Sequence, residues 1–109
     1  MDPGLLNRRV MLQIKQSTRD PMGGQVVIWV DRFPVWASDE PLSGRELMAA
    51  QQKHAEMTAR FRLRYREEIT QEWRVVFDGH AYDILEVIDV NLDSHRYLDL
   101  LCQTGLRGG

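Results

Sequence analysis

The chain has 109 residues, of which 14 are basic and 16 acidic for a formal charge of −2, with 43% hydrophobic and 28% charged residues. Such a chain can build one modest core and not two. The composition excludes wholesale disorder, the bulk basicity of a nucleic-acid binder, and any membrane helix, which needs about 20 apolar residues in a row. The amino terminus MDPGLLNRRV lacks the basic-then-apolar pattern of a signal peptide, so the expectation is a soluble intracellular protein. Twelve of the bases are arginine, whose planar fork suits carboxylate-paired interfaces better than lysine does. The single cysteine, Cys102, allows no intrachain disulfide and is expected as a buried, inert thiol.

Residues 1–7 hold Pro3 and Gly4 and are expected as a flexible lead-in, as are residues 104–109 at the other end of one domain spanning 1–109. Arg8 to Gln16 alternates, with Val10, Leu12 and Ile14 on one side, which predicts a half-buried strand. Ser17 to Gly24 gathers Asp, Pro and paired Gly and predicts a loop. Gln25 to Arg32 is a second strand, and Pro34 requires it to bend, bulge or lie at an edge before Val35 to Ala37. Ser43-Gly44-Arg45-Glu46 then spells a capping box: the Ser43 hydroxyl accepts from the Glu46 N–H, and the Glu46 carboxylate accepts from the Ser43 N–H. Leu42 and Leu47 flank it as a hydrophobic staple. The helix should run from Gly44 to about Ala55.

The strand that follows is the most regular in the chain. Ala59, Phe61, Leu63 and Tyr65 fall on one face, and Arg60, Arg62, Arg64 and Arg66 on the other. Glu72 to Asn91 predicts a hairpin about Asp78-Gly79 with a type I′ turn. That register sets Phe77 opposite His80, Val75 opposite Tyr82, Arg74 opposite Asp83 and Trp73 opposite Ile84. Val76, Leu85 and Val87 leave its second face partly apolar, to be covered by the helix or by a neighbouring subunit. After a turn over Asn91 to Arg96, Tyr97 to Gln103 is a final strand. The fold class is therefore mainly β: a small β-barrel or two-layer antiparallel sheet of about six strands, with one short α-helix inserted after the second strand. That helix has the size to plug an open end.

Reactive constellations are missing from the sequence. His54, His80 and His95 share no metal-ligand spacing, and Cys102 has no partner cysteine. Gly23-Gly24 lacks the rest of a phosphate loop, and Ser43 is accounted for by the capping box. Glu67 and Glu68 are adjacent, so on a strand they would point to opposite sides. No catalytic, cofactor or metal site is expected, and an enzyme is not the expectation. The arginine ladder has two readings. One is a strip facing phosphates. The other is a solvated or intersubunit face neutralised by carboxylates, for which Asp83, Glu86, Asp89 and Asp99 are available.

Five pieces in order carry a family likeness: Gly4-Leu5 with Arg9-Val10; Asp20-Pro21-Met22-Gly23-Gly24 followed by Trp29; Val35-Trp36-Ala37; Pro41 to Glu46; and Phe77 to Ile84 with Leu98 to Cys102. Together they resemble the phage head–tail joining proteins, also called head closure or stopper proteins. The sequence departs from that pattern at Ser38-Asp39-Glu40, where such proteins commonly carry an apolar residue, and an exposed strand end at a subunit boundary is the alternative there. The resemblance implies a small β-barrel with a helix and long loops. It also implies a six- or twelve-fold ring of identical subunits between portal or adaptor and tail, closing the channel around packaged double-stranded DNA and docking the tail. It places the protein in the virion, with assembly in the host cytoplasm, and allows a phage, prophage or gene-transfer-agent source. No cofactor or membrane is implied.

Two segments are candidates to block the channel, Ser17–Gly24 and Ser38–Met57. The second is favoured for its length and its polar run, with Ser43, Arg45, Glu46, Gln51, Gln52, Lys53 and His54 as candidate plug residues. Arg60, Arg62, Arg64 and Arg66 are candidate intersubunit or DNA-facing groups. The rival reading is a small β-barrel that binds single-stranded nucleic acid through those four arginines.

Overall fold

The computed structural model describes residues 6–90 and 96–104. Its elements are β1 (Arg8–Arg19), β2 (Gln25–Asp39), α1 (Gly44–Lys53), β3 (Ala59–Arg64), β4 (Arg74–Phe77), β5 (His80–Asp89) and β6 (Tyr97–Thr104). The six strands form one antiparallel sheet in the order β1-β2-β3-β6-β5-β4, which closes where β1 also pairs β4 over Met11–Gln13. The expectation of a mainly β fold with one helix after the second strand holds.

Closure puts alternate residues inside. Val10 and Leu12 of β1, Phe61 and Leu63 of β3, and Leu98, Leu100 and Cys102 of β6 meet Val35, Ala37, Val75 and Ile84 in a single cluster. This is the usual side-chain-filled interior of a small closed sheet. Cys102 is buried and free, and burial pushes its thiol up, away from the thiolate. The expected inert thiol is what the fold provides.

The β4–β5 turn follows its local chemistry. Asp78 and Gly79 both take positive φ, 53° and 79°, as a type I′ turn requires. Phe77 pairs with His80, Val75 with Tyr82 and Arg74 with Asp83 as predicted, whereas Trp73 precedes the ladder. Pro34 is accommodated by a bulge: Leu12 pairs Phe33 but Gln13 pairs Asp31, so Arg32 is the extra residue. Before Ala37, where pairing to β3 begins, the other edge of β2 carries no strand. A missing N–H on that side breaks no ladder.

One expectation is corrected. The Ser17–Gly24 loop shrinks to a turn, because Ser17, Thr18 and Arg19 pair with Val27, Val26 and Gln25. Beyond Gln13, where the β4 pairing stops, β1 and β2 have only each other, over Ile14–Arg19 and Gln25–Val30. Polar side chains suit the β1 strand of this arm, since both of its faces meet water, while the β2 strand exposes Val26, Val27 and Ile28. Six residues at about 3.3 Å each extend it by roughly 20 Å, which accounts for a long dimension of 50 Å against 28 and 27 Å. At its tip Asp20 Oδ1 accepts from the N–H groups of Met22 and Gly24 at 2.9 and 2.8 Å, and Gly23 supplies the positive φ of 87°. At its root Trp29 lies against the Arg74 guanidinium, 4.5 Å from the ring centre, and Arg74 Nε donates to Gln13 Oε1 at 2.7 Å.

Candidate functional site

The helix begins where the capping box puts it. Ser43 Oγ accepts from the Glu46 N–H at 3.2 Å, and the Ser43 N–H donates to Glu46 Oε1 at 3.3 Å. It ends at Lys53 with His54 as C-cap, two residues short of the expected end. It buries none of its own residues, so it is not a plug packed into the end of the barrel. The register shows where it lies instead. Arg60, Leu101 and Glu86 form one row across β3, β6 and β5. Glu46 Oε2 reaches Arg60 Nη1 at 3.1 Å, and Glu86 takes Lys53 Nζ at 3.1 Å and His54 Nε2 at 3.2 Å. The helix therefore straddles the outside of β6, tied on either side, and Leu101 in the middle of the row is only 7% exposed. Gln51 adds a bond to the Met57 carbonyl at 3.1 Å, and Met57 is fully buried just after the helix. Arg45 and Gln52 line an open depression with Met48 on the helix's outer side.

These ties are electrostatic, and acid should release them. Glu46 is held below the ordinary carboxylate range chiefly by the Ser43 backbone N–H and then by Arg60. Glu86 is held low chiefly by Lys53, with burial opposing and His54 adding to the lowering. A depressed carboxylate contributes stability above its unfolded pKa, about 4.3, and loses it as pH falls through the lower folded value. Below about pH 4 the α1 amides should lose protection and shift towards coil values in NMR while β3 and β6 stay native. Glu46→Gln with Glu86→Gln should reproduce this at neutral pH. A helix that outlasts the barrel in acid would refute the account.

The arginine face resolves residue by residue. Arg62 makes a two-point pair with Asp99, 2.6 and 2.8 Å, with Glu40 at 3.7 Å. Arg60 is taken by Glu46 and the Pro41 carbonyl. Arg66 lies beyond the strand end, 3.6 Å from Glu68 and stacked over Phe33 at 4.4 Å. Arg64 alone of the four has no carboxylate partner among the described residues. Of the carboxylates expected to neutralise the face, Asp99 does so through Arg62. Glu86 goes to the helix and Asp83 faces Arg74, and Glu40, Glu46 and Glu68 take part instead. Asp39 is exposed at the end of β2 while Ala37 and Ser38 before it are buried, so the strand does leave the core there.

Arg9 and Trp36, which belong to the family-like motifs but have no site role in the sequence reading, pair across β1 and β2 and come alongside Arg64. Among the described residues no group of three or more His, Cys, Asp or Glu is placed to hold a metal ion, and no helix is long and apolar enough to cross a membrane. His95 and most of the Asn91–Arg96 turn lie outside the described residues.

The model of the family described as phage head completion protein matches residues 1–105. The chain belongs to the phage head completion protein family. Head completion protein gp7 of Enterobacteria phage HK97 is 31% identical over 110 residues, covering 96% of this chain and 97% of that one. The solution structure of protein SF1141 from Shigella flexneri 2a superposes with a TM-score of 0.77 at 26% identity, over 99% of this chain and 100% of that one. A chain in the virion of a native gene transfer agent particle shares the fold, with a TM-score of 0.56 at 19% identity over 88% and 91% of the two chains. Head completion proteins are structural proteins of the virion, so the likeness to head–tail joining proteins read from the five motifs holds at the level of the family.

Proposed function

We propose that this head completion protein forms a ring between portal or adaptor and tail, closes the DNA channel after packaging and presents the surface on which the tail docks. The observation that carries the reading is the family match along almost the whole chain. The form of the subunit supports it. An arm with exposed Val26, Val27 and Ile28 and an exposed Met22 at its tip offers apolar surface to a neighbour. A ring needs two different patches per subunit, with each contact repeated around the circle, so modest single contacts suffice and the subunit can stay monomeric until it meets its template.

The segment from Ser38 to Met57 is the proposed channel plug. It is anchored by buried residues at both ends, and between them it is held outside the barrel by ion pairs, its own residues unburied and Leu101 beneath it. Ser17–Gly24, at the hairpin tip, is the other candidate. A single-stranded nucleic-acid role finds no support, because salt-dependent binding requires cations free to displace counterions and Arg60, Arg62 and Arg66 each face a carboxylate.

The test is to add purified protein to DNA-filled, tailless heads. Intact protein should retain the DNA and allow tails to attach. A variant lacking Gln51–His54 should still bind heads yet let them leak. Heads that stay full with the deletion move the plug to the arm tip, and heads that ignore the protein altogether refute the proposal.

A further inference from the structure

The arginines of β3 are not alone on their side of the barrel. Arg9 of β1 pairs with Trp36 of β2, and since Ala37 pairs with Leu63, one step back in the same register sets Trp36 level with Arg64 of β3. The outcome is an indole flanked by two guanidinium groups across three adjacent strands. These residues, with Arg66, rim a notch of about 210 Å³ whose apolar lining comes from Leu6, Pro34 and Val35. Trp36 is 53% exposed, unusual for the largest apolar side chain on a surface whose other two tryptophans are half-buried. Arg9 stacks on it, 5.0 Å from the ring centre, and stacking leaves the in-plane N–H donors of a guanidinium available. Among the described residues neither Arg9 nor Arg64 has a carboxylate partner, whereas Arg60 and Arg62 further along the same face are both neutralised.

We propose that this notch binds an acidic protein segment carrying an apolar side chain, the carboxylates pairing with Arg9 and Arg64 and the side chain packing on Trp36. Arginine holds carboxylates by two parallel bonds, and tryptophan and arginine are the residues in which interface energy most often concentrates. The volume admits one or two side chains and the lining is apolar, which favours a peptide over a nucleic acid. A phosphate backbone would need a longer row of unpaired cations, and the chain as a whole is negative. The inference rests on the proposed function only for the source of the segment, a neighbouring virion protein.

The test follows the Trp36 indole N–H by NMR in full-length protein, assigned with Trp36→Phe, at about 0.15 M salt where long-range attraction is screened. The probes are a capped peptide alternating glutamate with leucine, its lysine–leucine counterpart, and an oligothymidylate. The glutamate peptide should shift Trp36 saturably, and Arg64→Gln should weaken that binding by about tenfold or more while the Trp29 and Trp73 signals report an unchanged fold. Equal binding of the lysine peptide, no loss in Arg64→Gln, or no saturable shift would overturn the proposal. Tighter binding of oligothymidylate would assign the notch to nucleic acid. A Trp36 shift that depends on protein concentration alone would assign it to a second copy, and binding seen only after removal of residues 1–5 would assign it to the chain's own amino-terminal segment. Each of these three also overturns it. The readout uses isolated protein, so failure here with heads still completed disproves the notch alone. Peptide binding without head completion disproves the function and spares the notch.

Discussion

Phe61→Ala is expected to cost about 3–5 kcal/mol, a large part of the 5–15 kcal/mol that typically holds a domain folded. Phe61 is 1% exposed, on the strand that joins β2 to β6. Its ring meets those of Phe77 at 5.7 Å and Tyr82 at 5.4 Å, both nearly edge-on, geometry that adds roughly 0.5–1.5 kcal/mol per pair beyond burial. Truncation therefore removes the group that bridges β3 to the β4–β5 hairpin across the interior, and the closed sheet cannot collapse into the gap without opening its β1–β4 seam, three residue pairs long. Urea denaturation followed by far-UV circular dichroism measures the loss. Met48→Ala, at a residue 69% exposed on the helix, is the control and should stay within about 0.5 kcal/mol of the parent. A loss below about 1.5 kcal/mol for Phe61→Ala would mean that the barrel relaxes more freely than its packing implies.

Asp99→Ala should cost roughly 2–4 kcal/mol, because it takes from the largely buried Arg62 its two-point carboxylate partner, while Glu40 stands at 3.7 Å. The partial exposure of the arginine, 18% of its side chain, places the figure below that of a fully buried pair. The hydrogen bonds to Asp99 are also the main reason that Arg62 holds its proton more tightly than usual. The double replacement Arg62→Met with Asp99→Leu should recover most of the loss, since it removes both desolvation penalties together. Denaturant curves for Arg62→Met, Asp99→Leu and the double variant close the cycle. A double variant as unstable as the sum of the singles would show that the pair contributes nothing as a pair.

Both predictions concern the β3–β6 seam. It is the part of the molecule on which the proposed assembly features depend: the helix is tied across its outer side, and Arg64 of the notch stands at its end. Loss of Asp99 should consequently disturb α1 and Trp36 before the barrel unfolds.

How much of this was legible beforehand depended on how far apart in the chain the deciding groups lie. The capping box needs only Ser43 and Glu46, the type I′ turn only Asp78 and Gly79, and the inward face of β3 only a period of two. Each is decided by φ preferences or by hydrogen bonds within a few residues, and each is found as expected. Ser17–Gly24 reads as loop because it gathers Asp, Pro and paired Gly, with no apolar alternation in Ser17–Arg19 to set against them. In an arm wetted on both faces no such alternation is required, and pairing with Gln25–Val27 suffices to make it strand.

By itself, then, the sequence determined the strands, the start of the helix, the tight turn and the likeness to a family. Tertiary structure alone decided that β1 would close onto β4, that the helix would lie across β6 rather than enter the barrel, and that each arginine of one regular ladder would have a different fate. Arg60 and Arg62 face the same way as Arg64 by strand periodicity, yet only their cross-strand and helix neighbours supply carboxylates. Register between strands distant in sequence places those neighbours, and no local pattern encodes it.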